Sequence, residues 1–134
     1  MVVDTSAILA ILLQEEDAHL FAEAIETAER PLISAASVVE AGVVLVARHG
    51  PEARADLAAL LEAGGLGVEP VTAEQSTLAL DAFEAFGKGR GPGRDRGAAL
   101  NYGDCFAYAL AKASGQPLLF KGEDFSQTDI RSAL

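Results

Sequence analysis

Short apolar runs alternate with longer helical segments along the chain, and this alternation restricts it to a small set of folds. Four runs have the length and composition of buried strands: residues 1–3, 32–34, 66–71 and 118–120. The helical segments are 7–13, 17–29, 37–49, 52–63, one that opens at Thr72, and 104–114. Strands that alternate with helices are typical of a parallel sheet covered on both faces. We therefore predict an α/β fold of three layers, α/β/α, around a short central parallel sheet.

A chain of 134 residues, 50% hydrophobic and 22% charged, has the size and balance of one domain with one core. We expect residues 1–134 to form a single domain without a disulfide, because Cys105 is the one cysteine. No basic segment precedes an apolar stretch at the amino terminus. The apolar stretches also fall short of the roughly 20 residues of a membrane helix. The expected location is the cytoplasm, with no membrane attachment.

The charge balance limits the ways in which this chain can bind nucleic acid. A net charge of -10 argues against a protein that grips nucleic acid through a broadly basic surface. Four basic residues nevertheless share one glycine-rich loop, residues 87–97: Lys88, Arg90, Arg94 and Arg96. Two interpretations stay open, a loop that contacts an RNA backbone or a protein partner, and a solvated loop without a binding role.

Four acidic residues lie in or against apolar sequence: Asp4, Glu40, Asp104 and Asp124. A buried carboxylate must be paired, capped or bound to a metal, because a lone buried charge is costly. Each acid also has a local interpretation. The aspartates at 4 and 104 could cap helices, residues 37–40 read as a Ser-x-x-Glu capping box, and the last acid could belong to a turn.

If the four acids lie close together in the folded chain, one shared site would explain why all of them occur in apolar sequence. Ligands of open α/β sheets bind beyond the carboxyl ends of the strands, which here points to Asp4 and to the segment after Phe120. Close carboxylate pairs near a protein surface repel by roughly 4 kcal/mol, so a cation must offset the repulsion. Only His19 and His49 could supply imidazole ligands, and no Cys/His cluster accompanies them. Oxygen ligands alone favour a hard ion, Mg²⁺ or Mn²⁺.

Four motifs, in this order, resemble those of PIN-domain ribonucleases, and in particular the VapC toxins of bacterial toxin–antitoxin pairs. They are VVDTSA at 2–7, SVVE at 37–40, YGDCFAYA at 102–109 and LLFKGEDF at 118–125. The resemblance spans essentially the whole chain. It implies a single PIN-like nuclease domain that acts as a metal-dependent endoribonuclease and cleaves RNA phosphodiester bonds through a metal-activated water. It also implies a cytoplasmic homodimer inhibited by a cognate antitoxin, a segment of which enters the active-site groove.

The resemblance also implies roles for individual residues. Asp4 and Asp104 would bind Mg²⁺ or Mn²⁺ most directly, and Glu40 would join them directly or through water. Family members often carry an acid or Asn where this chain has Gly122, so Asp124 and its neighbour Glu123 compete for the fourth acidic role. Of the two, Asp124 is our choice.

Three further residues would support the site. Thr5 and Ser6 would donate hydroxyl hydrogen bonds to the metal shell or to the scissile phosphate, or would simply cap a helix. Lys121 would neutralise a phosphate, or it is an exposed lysine without a function. Cys105 is expected to be a small buried side chain rather than a redox centre.

Three other functions are alternatives for a chain with this pattern. A phosphatase with Asp4 as nucleophile usually has a second Asp two positions later, where this chain has Ser6. A response regulator needs a phosphoacceptor Asp after a middle strand, and residues 68–71 contain none. The remaining alternative is a catalytically silent PIN-like module that only binds a protein partner. The retained acids argue against that module, and metal binding would distinguish it from the nuclease.

Overall fold

A parallel sheet of four strands lies at the centre of the computed structural model, which describes residues 1–90 and 99–134. The strands are β1 (Val2–Val3), β2 (Leu32–Ser34), β3 (Gly67–Glu69) and β4 (Leu118–Leu119). Their order is β3-β2-β1-β4, and each neighbouring pair is parallel. Val2 of the central strand β1 stands opposite Leu32 on one side and Leu118 on the other. The predicted parallel sheet is therefore confirmed.

Helices connect the strands and cover both faces of this sheet. They are α1 (Thr5–Leu12), α2 (Ala18–Thr27), α3 (Ala35–His49), α4 (Ala53–Ala63), α5 (Ala73–Phe86) and α6 (Asp104–Ser114). No helix in the described part of the chain is both long and apolar enough to cross a membrane. Lys88 and Arg90 of the predicted basic loop are described, whereas Arg94 and Arg96 lie outside the described residues.

Alternate residues of β1, β2 and β4 face two separate apolar clusters, as the pleat of a sheet requires. Val2 and Leu118 pack in one cluster with residues of α5 and α6. Val3 and Leu119 pack in the other, with residues of α1 to α4. Strands β1, β2 and β4 are short and fully buried, so they read as apolar runs rather than as alternating patterns, whereas β3 is partly exposed. The expected three layers follow from this division of the core.

Two helix starts differ from those predicted, and both differences have a capping cause. The first helix begins at Thr5 rather than at residue 7, because the Asp4 side chain caps it. Helix α3 begins at Ala35 rather than at residue 37, because Ser34 Oγ accepts a hydrogen bond of 3.3 Å from the Ala36 amide. Ser37 therefore lies inside the helix, and the capping-box interpretation of residues 37–40 is wrong. The third strand is also shorter than the predicted 66–71.

The segment after β4 is held against the core by an aromatic side chain. Phe125 is 2% exposed, and its ring centroid lies 5.1 Å from that of Phe120. Farther along, the Tyr108 hydroxyl donates a hydrogen bond of 2.6 Å to Asp129. Backbone hydrogen bonds from Leu118 to Arg131 and from Ala133 to Leu118 bring the chain back beside the sheet. Asp124 is thus fixed next to a buried anchor.

We expect Phe125→Ala to lower the free energy of unfolding by about 3–5 kcal/mol, the usual effect of truncating a buried phenylalanine. Leu80→Ala, at an exposed position of α5, is the matched control and should change stability by less than about 0.5 kcal/mol. Urea denaturation measures both. Equal stability of the two variants would contradict the anchoring role of Phe125.

Candidate functional site

A cleft of about 190 Å³ opens at the carboxyl ends of β1 and β4. Its walls come from four parts of the chain: the start of α1, the middle of α3, the start of α6 and the turn after β4. The lining residues are Asp4, Thr5, Ser6, Leu9, Glu40, Asn101, Asp104, Lys121, Asp124 and Phe125. The structure therefore brings together all four acids singled out in the sequence, with the three supporting residues.

Asp4 is the most deeply buried of these acids, at 2% exposed. Its Oδ2 accepts hydrogen bonds from the Ser6 amide at 2.9 Å and from the Ser6 hydroxyl at 2.6 Å. Its Oδ1 is buried and has no hydrogen-bond partner among the described residues. Burial raises the pKa of this carboxyl, the nearby Glu40 raises it further, and the bonds from Ser6 oppose both effects. Asp4 is a helix cap with one oxygen left over.

Asp104 forms a reciprocal cap with Asn101 at the start of α6. The Asn101 amide donates to Asp104 Oδ2 at 2.7 Å, and the Asp104 amide donates to Asn101 Oδ1 at 3.0 Å. Burial raises the pKa of Asp104 to about 7, opposed by the bond from Asn101 and reinforced by the charges of Asp4, Asp124 and Glu40. Asp104 therefore caps a helix and also lies close to the other three acids, because their charges contribute to its raised pKa.

Glu40 is half-buried and is held by a threonine from the first turn of α1. The Thr5 hydroxyl donates a hydrogen bond of 2.6 Å to Glu40 Oε2 and lies 3.4 Å from the Ser37 carbonyl oxygen. On the other side, a Cβ added at Gly103 would overlap the Glu40 carboxylate. A residue without a side chain at position 103 therefore lets α3 and α6 bring their acids together.

The two candidates for the fourth acid lie in different environments. Gly122 has φ +95°, a left-handed conformation that favours glycine, and it turns the chain after β4. Asp124 then lies in the wall of the cleft, whereas Glu123 is absent from that wall. Glu123 Oε2 instead accepts a hydrogen bond of 2.8 Å from Ser126. The role of Asp124 as the fourth acid stays a prediction, and its position in the cleft wall is compatible with that role.

Ser6 and Lys121 tie the ends of the two central strands together. The Lys121 amide donates to Ser6 Oγ at 2.9 Å, while that hydroxyl donates to Asp4. The Lys121 ammonium group is paired with Glu15 and, at 2.6 Å, with Asp17, both in the connection between α1 and α2. These two pairings raise the pKa of Lys121. A phosphate contact by Lys121 stays a prediction, and any such contact would compete with two carboxylates.

Sequence reasoning missed Asn101, Gly103, Glu15 and Asp17. The Asn-x-x-Asp spacing of residues 101 and 104 matches a capping box and was a signal available in the sequence. No sequence signal links Glu15 and Asp17 to Lys121, more than a hundred residues away.

The donor set of the cleft suits a hard cation that keeps much of its water. Within residues 1–90 and 99–134, no three Asp, Glu, His or Cys side chains already form a group that could hold a metal ion. Two buried acids with raised pKa values and the unpartnered Asp4 Oδ1 are nevertheless groups that a cation would stabilise. Oxygen ligands completed by several waters are the usual environment of Mg²⁺. The residues present therefore fit such an ion.

Cys105 takes no part in this chemistry. It is buried, its thiol lies 3.1 Å from the Asn101 carbonyl oxygen, and burial raises its pKa to about 11. The thiol is therefore protonated at neutral pH and unreactive as a nucleophile. The expectation of a small buried side chain is confirmed.

Comparison with known proteins identifies related sequences and folds. A family model described as the PIN domain matches residues 1–131. Ribonuclease VapC30 of Mycobacterium tuberculosis is 47% identical over 130 residues, which cover 97% of this chain and 95% of the relative. Ribonuclease VapC28 of the same species is 46% identical over 134 residues, with coverages of 100% and 98%.

Two solved structures share the fold at low sequence identity. M. tuberculosis VapC20, described as a toxin that cleaves the sarcin-ricin loop, matches with a TM-score of 0.74 at 20% identity, over 96% of this chain and 95% of that one. VapBC2 from Rickettsia felis, bound to a DNA fragment from its promoter, matches with a TM-score of 0.70 at 12% identity. That match covers 98% of this chain and 94% of the other.

The raised pKa of Asp104 predicts an unusual dependence of stability on pH in metal-free protein. Between its unfolded value near 3.8 and its folded value of about 7, the folded state binds more protons than the unfolded state. The free energy of unfolding should therefore fall as pH rises from about 4 to about 7, by a loss on the order of 2 kcal/mol. Denaturation in chelator at several pH values measures it.

Asp104→Asn should remove the part of this loss that Asp104 contributes, because a neutral amide oxygen can still accept the hydrogen bond from Asn101, while the part from Asp4 remains. At pH 7.5 in chelator the variant should be more stable than the wild type, and near pH 4 the two should agree. Asp56→Asn, at an exposed position of α4, is the control and should follow the wild type. A wild type that gains stability from pH 4 to 7 would contradict the burial argument.

Proposed function

This chain belongs to the PIN-domain family, among the VapC ribonucleases that serve as toxins of toxin–antitoxin pairs, and from that premise we propose how its own residues act. The cleft holds Mg²⁺, with Mn²⁺ as a substitute, and cleaves RNA as an endonuclease. Asp4 and Asp104 are the direct ligands, Glu40 acts directly or through water, and Asp124 completes the acidic set. The observation that carries this proposal is the buried, unpartnered Asp4 Oδ1 beside a second buried carboxyl.

The protein's part in the reaction is to hold these oxygens in place. Ser6 fixes the orientation of Asp4 through Oδ2, and Asn101 does the same for Asp104, so one oxygen of each acid is left for ligand contact. Thr5 fixes Glu40 on the opposite wall. When bound, a divalent cation would supply an acidified water and neutralise charge that develops on the phosphate.

No histidine lines the cleft in the described part of the chain, so deprotonation of water falls to the carboxylates. Asp124 is the exposed member of the set, so it lies at the entrance of the cleft. A carboxylate at that entrance could accept a proton and exchange it with solvent. Products with a 5′-phosphate and a 3′-hydroxyl follow from the family resemblance.

Lys121 is the cation nearest to this acidic set on the wall of the cleft. Its ammonium group pairs with Glu15 and Asp17, and 35% of the side chain stays exposed, so an RNA phosphate could reach it. We therefore assign it phosphate neutralisation, shared with the two acids.

A silent module that only binds protein is the alternative function. In such a protein, two buried carboxyls with raised pKa values and an unsatisfied buried oxygen would destabilise the fold and have no catalytic role. Replacing either acid by its amide would relieve this burial of charge, so the arrangement favours the nuclease.

The partners in this proposal are the RNA substrate, a cognate antitoxin and a second copy of the chain. The proposed location is the cytoplasm, and residues 1–134 form one nuclease domain.

An apolar groove of about 760 Å³ runs between α3 and α4. Val39 and Val43 on its α3 side are 65% and 63% exposed, with Leu57 and Leu61 on the α4 side. Neighbouring exposed valines on one helix mark a protein interface. We assign this groove to the homodimer.

Metal-dependent cleavage tests the enzymatic proposal. Antitoxin-free wild type with Mg²⁺ or Mn²⁺ should cut a mixed structured RNA pool into fragments with 5′-phosphate ends, and chelator should stop the reaction. Asp4→Asn and Asp104→Asn should each lower the rate by at least roughly 100-fold while the protein stays folded, because each removes a charged ligand. Gel analysis of labelled fragments and circular dichroism measure both.

Glu123→Gln is the matched control for Asp124→Asn. The first variant should cleave like the wild type, because Glu123 bonds to Ser126 outside the cleft, whereas the second should lose most activity. The reverse order would move the fourth acidic role to Glu123. Full activity of Asp104→Asn would sink the assignment of the whole site.

Sedimentation tests the groove. The wild type should sediment as a dimer, and Val43→Asp should sediment as a monomer, because a buried unpaired charge is costly at an apolar interface. Val68→Asp, exposed on β3, is the control and should remain dimeric. Dimers in all three proteins would place the interface elsewhere.

A further inference from the structure

An exposed aromatic ring stands beside the acidic cleft and has no role in the mechanism above. Tyr102 is 80% exposed, the largest exposed fraction among the big apolar side chains of the described residues. Its chain neighbours are Asn101, which lines the cleft, and Gly103, whose backbone lies against the Glu40 carboxylate. Asp104 follows one residue later. The ring is therefore tied to the rim of the reaction site.

The ring is also oriented. Its centroid lies 5.0 Å from that of Phe106, and the two planes meet at 83°. A perpendicular neighbour covers at most one face of the tyrosine ring, and Phe106 is itself half-buried on α6. The reciprocal cap between Asn101 and Asp104 fixes the backbone on both sides. Tyr102 thus offers an open aromatic surface at low cost in conformational entropy.

The backbone of a basic residue lies close to the segment that leads to this ring, although the protein as a whole is acidic. The Lys88 amide donates to the Leu100 carbonyl at 3.2 Å, and the Leu100 amide donates to the Phe86 carbonyl at 3.0 Å. These bonds place Lys88 beside a residue two positions before Tyr102. Arg90 lies close by in sequence, with its guanidinium 5.5 Å from the Phe83 ring centroid.

Substrate capture needs such a surface, because the cleft itself repels RNA. Four carboxylates line it, and the chain carries a net charge of -10. Aromatic stacking is the contact with single-stranded RNA that does not depend on charge, since each base has a π-face.

We propose that Tyr102 is the stacking platform for an unpaired base next to the scissile phosphate, with Lys88 contacting the adjoining backbone. The proposal rests on the ribonuclease function and adds a residue that positions the substrate: Tyr102 holds an unpaired nucleotide beside the cleaved bond. Specificity for unpaired nucleotides would follow from a ring at this rim, whatever sequence is read elsewhere.

The chain contains no tryptophan, so Tyr102→Trp introduces a single fluorescent reporter at the platform. Single-stranded oligoadenylate should quench its emission by stacking. An abasic ribose-phosphate oligomer of the same length should leave the emission almost unchanged, because it offers charge without bases. Equal quenching by both oligomers, or quenching by neither, would overturn the proposal, including the case in which Tyr102 contacts only a protein partner.

Kinetics supply the second arm, on an RNA that the wild type cuts. Tyr102→Ala should raise KM by roughly tenfold or more with little change in kcat, and Tyr102→Phe should restore the wild-type KM. Leu80→Ala, which removes an exposed apolar side chain far along α5, should leave both unchanged. An unchanged KM for Tyr102→Ala would overturn the platform. A wild type that never cleaves would overturn the ribonuclease function instead, and the fluorescence arm would then decide stacking alone.

Discussion

Repulsion between carboxylates in one small cleft is the constraint on which this structure depends. Asp4 and Asp104 are both buried, and burial raises both pKa values before their mutual repulsion is added. The fold holds them together through hydrogen bonds to one oxygen of each acid, given by Ser6 and by the Asn101 amide. A domain can sustain this arrangement because the core on both faces of the sheet supplies the stability, and a cation relieves the repulsion when it binds.

The architecture delivers the acids from distant parts of the sequence to one edge. Parallel strands β1 and β4 end side by side, so Asp4 and the turn with Asp124 meet there. Helices α3 and α6 then approach from the sides, and the missing side chain at Gly103 permits their close contact at Glu40. Acidic and non-acidic side chains occupy different parts of this edge. The interior of the cleft gathers the acidic side chains, Lys121 lies in its wall, and the exposed Tyr102 directly follows Asn101 of that wall.

Much of this organisation could be predicted from sequence, because strands and helices leave periodic signals and the acids stand out in apolar surroundings. The three-layer fold and the position of Asp4 at a strand end follow from such signals. The start of α3 could not be predicted in this way, because Ser34 and Ser37 are both good caps and only packing decides between them. The pairing of Lys121 with Glu15 and Asp17 joins segments more than a hundred residues apart, and Tyr102 looks like any other aromatic in the sequence until its exposure is known.

The most direct measurement of the central claim is anomalous diffraction from crystals grown with Mn²⁺. We expect a peak in the cleft between Asp4 and Asp104, with Asp4 Oδ1 as a ligand and water completing the shell. An empty cleft at saturating Mn²⁺, or a peak held only by Glu15 and Asp17, would contradict the claim that these acids are gathered to hold a cation.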